Sequence, residues 1–237
     1  MRPDRHSPEE MLAFLKGGTF LGLLSDSALQ ALVRNGRVKK FALGDVICRR
    51  GDQGDSVLVV LSGTLKIRNT TLDGRDIGLN FLGVGDVAGE IAVLDGRERT
   101  ADIVAHDETE VLVIHRRDVL PALTSHPQAI LAIVEVLCDK LRAATAIIED
   151  STHDMLARVA RGLMRLAEQH GRRRKDRTRI NLKLSQAELG SYVGLSRANV
   201  SRQLTELKSR GAIEIEAAYI VILDEGALIE ASSAVGE

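Results

Sequence analysis

The sequence is poor in aromatic residues, in cysteine and in long apolar runs. Aromatic side chains make up 3% of its 237 residues and tryptophan is absent, so a surface that stacks nucleic-acid bases on aromatic rings is not expected. The two cysteines, Cys48 and Cys138, have no metal-site spacing, and a reducing cytoplasm is the expected compartment. No apolar run reaches the roughly 20 residues that cross a bilayer. Residues 1–6 do not lead into a secretory signal, so we expect no membrane association.

Charge is unevenly distributed along the chain, although the net charge is only −1. Residues 1–150 carry 18 basic and 22 acidic side chains, whereas residues 151–210 carry 14 basic and 5 acidic ones. A basic block of this density is typical of a nucleic-acid-binding domain. A solvated charged face is the alternative interpretation of the same block.

Between Val38 and His115 the sequence consists of short apolar runs separated by glycines. Asp73-Gly74 between two such runs is a strong hairpin signal. Short strands at regular spacing predict a small β-sandwich or jelly roll. The predicted strands are Val38–Phe41, Val46–Cys48, Ser56–Ser62, Leu65–Thr70, Asp76–Phe81, Val87–Ala88, Thr100–Ala105 and Glu110–His115.

Two helices are predicted ahead of these strands. Ser7 is placed to cap the first one and Pro8 occupies its first position, and the helix is expected to end near Lys16. The second helix fits Ser25–Val33. A short helical turn is predicted inside the strand region, at Ile91–Leu94.

The region Pro121–Glu149 is predicted to be helical, with a long helix that starts near Pro127. Apolar residues recur along it at alternating steps of four and three, which is the spacing of a coiled-coil seam. Such a stripe faces itself across the two-fold axis of a parallel homodimer; packing along the β-domain of the same chain is the alternative. Polar residues at Glu149–Asp154 then predict a hinge. The seam residues are Ile130, Val134, Leu137, Leu141, Ala144 and Ile148.

The last third of the chain predicts a helix-turn-helix followed by a small hairpin. Ser185 opens a capping box with Glu188, Gly194 makes a turn, and Ser196 caps a second helix, Arg197–Lys208. Two short strands after that helix predict a wing. The other predicted segments are a helix at 154–170, a polar basic loop at Arg172–Arg177, the wing strands Ile213–Ile215 and Tyr219–Leu223, and a last helix from Asp224 to about Ala231.

The segment from Gly89 to Ala101 carries residues suited to a small ligand. Gly89 lets the backbone approach a ligand closely because it lacks a Cβ. Arg99 presents a planar fork that suits a phosphate, and Thr100 adds a hydroxyl donor. Glu90 only accepts hydrogen bonds when ionised, so it suits a sugar hydroxyl. The segment therefore predicts a sugar-phosphate site, and a loop glycine beside a Glu–Arg surface ion pair is the alternative.

The second helix of the helix-turn-helix predicts a DNA-reading surface. Val200, Leu204 and Leu207 share one face, which we expect to point inward. Arg202 lies nearly opposite that face and Arg197 lies in the first turn, so both are candidates for reading guanine. The alternative is an exposed helix that merely carries arginines. The full predicted DNA-contacting set, which includes candidates for phosphate contacts, is Ser185, Gln186, Ser196, Arg197, Asn199, Ser201 and Arg202.

Two motifs carry a resemblance that extends over nearly the whole chain. Gly89-Glu90-Ile91-Ala92 with Arg99-Thr100-Ala101 resembles the phosphate-binding cassette of cyclic-nucleotide-binding domains. Leu195–Arg202 resembles the recognition helix of the catabolite activator, or Crp-Fnr, family of bacterial transcription regulators. The resemblance implies an α+β fold in three parts. These are an N-terminal β jelly roll over residues 1–124, a long dimerisation helix and hinge over 125–150, and a C-terminal winged helix-turn-helix over 151–237.

The resemblance also implies the effector, cyclic AMP or cyclic GMP, without a metal. Lys140 stands where relatives carry an arginine, and Ala144-Thr145 keeps one of two hydroxyls that contact the purine. Thr100 occupies a place where threonine goes with cyclic GMP in relatives, so the choice of nucleotide stays open. The implied ligand-binding residues are Gly89, Glu90, Ile91, Ala92, Arg99, Thr100, Ala101, Lys140 and Thr145.

The function implied is that of a dimeric, cyclic-nucleotide-responsive transcription regulator and not an enzyme. Its expected partners are a palindromic double-stranded DNA operator, a second copy of the chain and RNA polymerase. Ala198 replaces a glutamate common in relatives, so their operator is not carried over. A family member that responds to another small effector, or that is active without ligand, is the alternative.

Other classes fit the sequence less well. A cupin-like enzyme needs clustered metal ligands, and the six histidines show no His-x-His pair. An iron–sulfur sensor needs about four cysteines, and His106 and His115 have no supporting haem motif. A regulatory domain of a kinase or channel is disfavoured by the helix-turn-helix.

Overall fold

A computed structural model describes residues 7–71 and 76–233. The described chain forms two compact units. The first contains residues 7–69 and 79–140, and the second contains residues 70–71, 76–78 and 141–233. The predicted turn at Asp73-Gly74 and the N-terminal residues 1–6 lie outside the described residues.

The first unit begins with the two predicted helices, α1 (Pro8–Gly18) and α2 (Asp26–Asn35). Ser7 and Glu10 form a reciprocal capping box at the start of α1, and the side chain of Ser25 accepts a hydrogen bond at the start of α2. A short 3-10 turn joins the two helices. Helix α1 continues two residues past the predicted end at Lys16, because its glycines stay helical.

Two four-stranded antiparallel sheets follow, which confirms the jelly-roll prediction. One sheet has the order β1-β8-β3-β6 and the other the order β2-β7-β4-β5. The predicted strand at Thr100 starts two residues later, at Asp102. The strands are β1 (Arg37–Phe41), β2 (Val46–Cys48), β3 (Ser56–Ser62), β4 (Leu65–Thr70), β5 (Asp76–Leu82), β6 (Val87–Ala88), β7 (Asp102–Ala105) and β8 (Thr109–His115).

Strand β3 is buried on both of its faces, which explains its continuous apolar sequence. Val57 and Val59 pack in a cluster with apolar residues of α1 and α2. Leu58 and Val60 point to the other face and pack with Leu65 and with residues of the second sheet. Alternation along the strand therefore divides the core into a helix-covered half and an inter-sheet half.

Three helices complete this part of the chain: α3 (Glu90–Asp95), α4 (Arg116–Thr124) and α5 (Pro127–Asp150). Helix α3 sits where the helical turn was predicted. On α5, Ala129 and Ile133 are buried in the helix-covered core, whereas most of the predicted seam is exposed. Leu141 and Ile148 keep 69% and 70% of their surface exposed, so α5 presents an apolar stripe that the described chain does not cover.

The second unit contains a helix-turn-helix and a four-stranded sheet of order β11-β12-β10-β9. The basic segment Arg172–Arg177, predicted as a loop, is a β-hairpin. It escapes detection because arginine-rich strands lack apolar alternation, and its pairing partner β12 lies some 40 residues further along the chain. The elements are α6 (Met155–His170), β9 (Gly171–Arg174), β10 (Arg177–Ile180), α7 (Gln186–Val193), α8 (Arg197–Ser209), β11 (Ile213–Glu216), β12 (Tyr219–Ile222) and α9 (Glu225–Ser232).

Candidate functional sites

Arg99 is a buried cation, with 6% of its surface exposed. Its Nη1 donates to the carbonyl of Gly89 at 3.1 Å, and its Nη2 donates to the carbonyl and the hydroxyl of Ser56 at 2.7 and 3.1 Å. Its Nε is buried without a hydrogen-bond partner. Within residues 7–71 and 76–233 no carboxylate forms an ion pair with this guanidinium. A buried charge of this kind is costly unless an anion joins it.

Gly89 is required for the position of Arg99. Its φ is +84°, in the left-handed region that glycine adopts without strain. A Cβ at this position would lie 2.0 Å from Nη1 of Arg99, so a side chain here would displace the guanidinium from its hydrogen bonds. The group that approaches the backbone at Gly89 in the structure is an arginine of the same chain, and the close approach of a ligand stays a prediction.

Glu90 is buried, and it faces the long helix. Its Oε1 accepts a hydrogen bond from Nζ of Lys140 at 2.6 Å, and the glutamate side chain is 2% exposed. The structure thus brings together two predicted ligand residues that lie 50 positions apart. The alternative interpretation, a surface ion pair between Glu90 and Arg99, is wrong because both side chains are buried and have other partners.

The remaining cassette residues divide by exposure. Ala92 and Ala101 are buried, whereas Ile91 and Thr100 are exposed at the surface of the same segment. Thr145 is exposed on α5, and its hydroxyl donates to the carbonyl of Leu141 in the preceding turn. The two alanines therefore pack inside the cassette, whereas the side chains of Ile91, Thr100 and Thr145 are accessible from solvent.

Two residues near Arg99 were not predicted as part of the site. Ser56 at the start of β3 fixes both Nη2 contacts of Arg99, and it lies 43 residues away in sequence. Cys48 is close enough to Arg99 for that charge to act on its thiol. Burial raises the pKa of the Cys48 thiol above its ordinary value of 9.0, and the Arg99 cation partly opposes this effect. No local sequence signal identifies either residue.

The helix-turn-helix forms with the predicted caps. Ser185 accepts from the backbone of Glu188, whose carboxylate in turn accepts from the backbone and the hydroxyl of Ser185. Gly194 ends α7 with a φ of +69°. Ser196 accepts from the backbone of Asn199 at the start of α8, which leaves its hydroxyl proton able to donate to a phosphate.

Helix α8 has the orientation that its periodicity predicts. Val200, Leu204 and Leu207 are buried, with at most 3% of their surface exposed. Arg202 is exposed on the opposite side, and Arg197 is exposed in the first turn, at the N-terminal end of the helix. Of the other predicted contacts, Asn199, Ser201 and Gln186 are partly buried and Ser185 is exposed. The helix therefore offers two arginines to a groove, in the manner of a recognition helix.

Two further arginine contacts support this domain and were not predicted. Arg158 of α6 donates from Nη2 to the carbonyls of Val193 and Gly194, and so secures the turn between α7 and α8. Asp150, the last residue of α5, is 5% exposed and accepts hydrogen bonds from Arg161 and Arg165 of α6. These contacts tie the end of the long helix to the first helix of the second unit.

The described residues contain neither a group of metal ligands nor a membrane-spanning helix. Among the described residues no three His, Cys, Asp or Glu side chains group as metal ligands. His106 packs edge-on against Phe81, and His115 lies 3.9 Å from a carboxylate oxygen of Asp55. None of the helices in the part of the chain that the structure describes has the length and apolarity needed to pass through a bilayer.

Comparison with known proteins assigns a family to both halves of the chain. Residues 38–126 match the cyclic nucleotide-binding domain model, and residues 157–231 match the Crp-like helix-turn-helix domain model. A CRP-like cAMP-activated global transcriptional regulator of Mycobacterium tuberculosis is 29% identical over 217 residues, which cover 91% of this chain and 96% of the relative. The cyclic AMP receptor protein of Thermus thermophilus is 30% identical over 188 residues, covering 79% and 83% of the two chains.

Solved structures agree on the fold. The structure of FixK2 from Bradyrhizobium japonicum superposes with a TM-score of 0.74 at 21% identity, covering 85% of this chain and 99% of that one. Relatives that match over more than four fifths of both chains are named as transcriptional regulators, and the family is one of regulators and not of enzymes. A cyclic nucleotide-binding β-domain, a long helix and a Crp-like DNA-binding domain therefore place this chain in the Crp-Fnr family of DNA-binding transcription regulators.

Proposed function

We propose that the chain is a dimeric transcription regulator that responds to cyclic AMP or cyclic GMP. The observation that carries this proposal is the buried guanidinium of Arg99, which has an unpartnered Nε and no carboxylate partner among the described residues. A cyclic phosphate supplies the missing anion. The two relatives from Mycobacterium tuberculosis and Thermus thermophilus are both named for cyclic AMP, which supports that nucleotide, whereas Thr100 supports cyclic GMP through the family resemblance.

The predicted ligand residues have different roles in this proposal. Arg99 holds the phosphate, with Thr100 as a second donor, and Glu90 accepts from the ribose hydroxyl. Gly89, Ile91, Ala92 and Ala101 form the backbone of the cassette. Lys140 links the cassette to α5 through its ion pair with Glu90, and Thr145 contacts the base. Binding at Glu90 therefore acts on the long helix as well as on the β-domain.

The DNA response is a population shift of the dimer. The apolar stripe of α5 joins two copies in parallel, and nucleotide binding orders this dimer helix. The two recognition helices are then set about 34 Å apart, one turn of DNA, and read a palindromic operator in successive major grooves. RNA polymerase is the proposed downstream partner. In this scheme residues 1–124, 125–150 and 151–237 act as sensor, dimer helix with hinge, and DNA reader.

Calorimetry with each nucleotide, in the presence and absence of operator DNA, tests the proposal. Cyclic AMP or cyclic GMP should bind at one site per protomer. Operator DNA should increase the affinity for the nucleotide, and the nucleotide should increase the affinity for the operator by the same factor. No binding of either nucleotide, or equal affinities with and without operator, would overturn the proposed response.

A regulator that needs no nucleotide is the second candidate, and one observation favours it. The two charged side chains proposed to bind the nucleotide already have protein partners. Lys140 donates a hydrogen bond to Glu90, and two nitrogens of Arg99 donate to backbone carbonyls. Tight operator binding by the protein without nucleotide, unchanged when nucleotide is added, would support this candidate.

A further inference from the structure

The hairpin of β9 and β10 places four arginines opposite one another. Arg174 is the cross-strand partner of Arg177, and Arg172 is the partner of Arg179. Residues directly opposite in an antiparallel pair project from the same face of the sheet, so all four side chains share one face. We call Arg172, Arg174, Arg177 and Arg179 the arginine quartet.

The quartet faces solvent, while the other face of the hairpin contributes to the core. All four arginines are exposed, whereas Ile180, on the opposite face, is completely buried. Lys175 in the hairpin turn adds a fifth exposed cation next to the quartet. Arg173, on the same side as Ile180, is exposed as well, so packing on that side is confined to the Ile180 end of the hairpin, whereas the quartet side presents arginines along its length.

Such an arrangement works against folding. Like charges directly opposite on a sheet repel each other and destabilise the pair. Among the described residues Glu214 is the carboxylate that forms an ion pair with the quartet, 3.8 Å from Arg177, and both of these side chains are largely exposed. Asp176 in the hairpin turn is a further exposed acid and offsets the charge of Lys175. An exposed pair at this distance offsets little of the repulsion. The quartet therefore fits the binding of an external polyanion better than a role in stability.

A cationic track connects the quartet to the helix-turn-helix. The guanidinium carbon of Arg179 lies 3.7 Å from the ring centroid of Tyr219, the residue that follows the turn at the tip of the wing. The ammonium of Lys183 lies 5.7 Å from the same ring. Lys183 is two residues before Ser185, the cap of α7. The positive charge thus continues from the quartet along the wing sheet to the start of the DNA-reading motif.

We propose that the arginine quartet binds the phosphate backbone of double-stranded DNA, as a contact additional to those of the recognition helix. Arginine forks bind phosphate with two donors, and DNA carries a charge about every 1.7 Å along its axis, which suits an extended row of cations. The track to Ser185 favours DNA over an acidic protein as the occupant. This inference rests on the DNA-binding function of the family and does not depend on the nucleotide response.

The test compares two double variants that each remove two cations at alternate positions of one strand. R172Q/R174Q removes half of the quartet. R37Q/K39Q removes two exposed cations from β1 and is the matched control. Binding of a 40-bp random-sequence duplex, without nucleotide, is followed by fluorescence anisotropy across a salt series. Random DNA isolates phosphate contacts from base reading.

In R172Q/R174Q we expect the slope of log K against log salt concentration to become shallower by about 0.9 for each lost phosphate contact. Binding at low salt should be about tenfold weaker than that of wild type. The control variant should match wild type in both measurements. The thermal midpoint of R172Q/R174Q should equal or exceed that of wild type, because a repulsion is removed.

An unchanged salt slope in R172Q/R174Q would overturn the proposal and point to an acidic protein as the partner of this face. A lower thermal midpoint would also overturn it, because the arginines would then be structural. Equal losses in both double variants would mean that net charge, and not this hairpin, governs DNA binding. Failure of nucleotide binding leaves these readouts unaffected, so the two proposals are tested separately.

Discussion

The ammonium of Lys140 on α5 lies 2.6 Å from Oε1 of Glu90 at the start of α3, and the carboxylate is almost completely buried. This ion pair joins a side chain of the cassette directly to a side chain of the long helix. A ligand that hydrogen-bonds Glu90 must share or replace Lys140. The pair therefore gives the proposed signal a physical starting point.

Removing Lys140 should destabilise the protein because a buried carboxylate loses its partner. We expect Lys140→Met to lower the free energy of unfolding by about 2 kcal/mol, less than a fully buried pair would cost because Lys140 is partly exposed. Urea unfolding of this variant, of Glu90→Gln and of the double variant measures the coupling between the two residues. Additive effects of the two single changes would show that the pair does not act as a unit. Lys39→Met, on an exposed lysine, is the control.

Arg99→Ala should abolish cyclic nucleotide binding, because the phosphate loses its charged donor. Each hydrogen bond from the charged guanidinium to the phosphate is worth about 1.5–3 kcal/mol, so loss of a two-donor contact should lower the affinity by more than about a hundredfold. Calorimetry of Arg99→Ala and of Arg97→Ala, an exposed arginine two residues earlier, separates this site from general charge effects. Near-wild-type affinity in Arg99→Ala would mean that the ligand binds elsewhere.

Leu141→Asp should weaken the dimer, since two facing carboxylates would enter the proposed seam. Leu43→Asp is a matched control, because Leu43 is 73% exposed and Leu141 is 69% exposed. Sedimentation over a range of protein concentrations should show monomer for Leu141→Asp at concentrations where Leu43→Asp remains dimeric. Indistinguishable behaviour of the two variants would rule out the coiled-coil assignment.

Arg202→Ala should lose base discrimination while nucleotide binding is kept. If Arg202 reads a guanine, the change costs about 1–3 kcal/mol in each half-site and relaxes the preference at one base pair. Binding-site selection at one fixed salt concentration, with wild type and with Lys208→Ala as the control near the other end of α8, measures this preference. The same selected sequence with equal preference at every position would show that Arg202 does not read a base.

Cys48 should react slowly with alkylating agents. Burial raises the pKa of its thiol above the ordinary value of 9.0, so only a small fraction of it is thiolate at pH 8. Cys48 is also less exposed than Cys138. The protonated thiol favours the folded state, and this contribution is complete below pH 9 and is lost as the pH rises through the raised pKa.

Iodoacetamide rates in Cys138→Ser and Cys48→Ser variants compare the two thiols directly. Adding Arg99→Ala should slow Cys48 further, because the Arg99 cation opposes the pKa rise. Equal rates for the two cysteines would contradict the burial of Cys48.

Local signals in the sequence determined most of the element boundaries. Ser7, Ser185, Ser196 and Asp224 each accept a backbone hydrogen bond three residues ahead, so these caps could be read directly from residue types at a fixed spacing. The inward face of α8 followed from its period of 3.6 residues. Such signals act within one or two helical turns and do not depend on the rest of the fold.

Tertiary structure decided the partners of the charged residues. Ser56 reaches Arg99 across 43 residues, and Lys140 reaches Glu90 across 50, distances over which no sequence spacing constrains a pair. The β9–β10 hairpin likewise forms because Thr178 and Arg179 align with Ile222 and Val221 of β12, although its own sequence has the composition of a loop. Helix caps and apolar periodicity are local properties, whereas burial of a charge and strand pairing exist only after distant segments have met. The sequence therefore determined the helices, most of the strands and the family motifs, whereas the fold determined the β9–β10 hairpin and how the charges are paired.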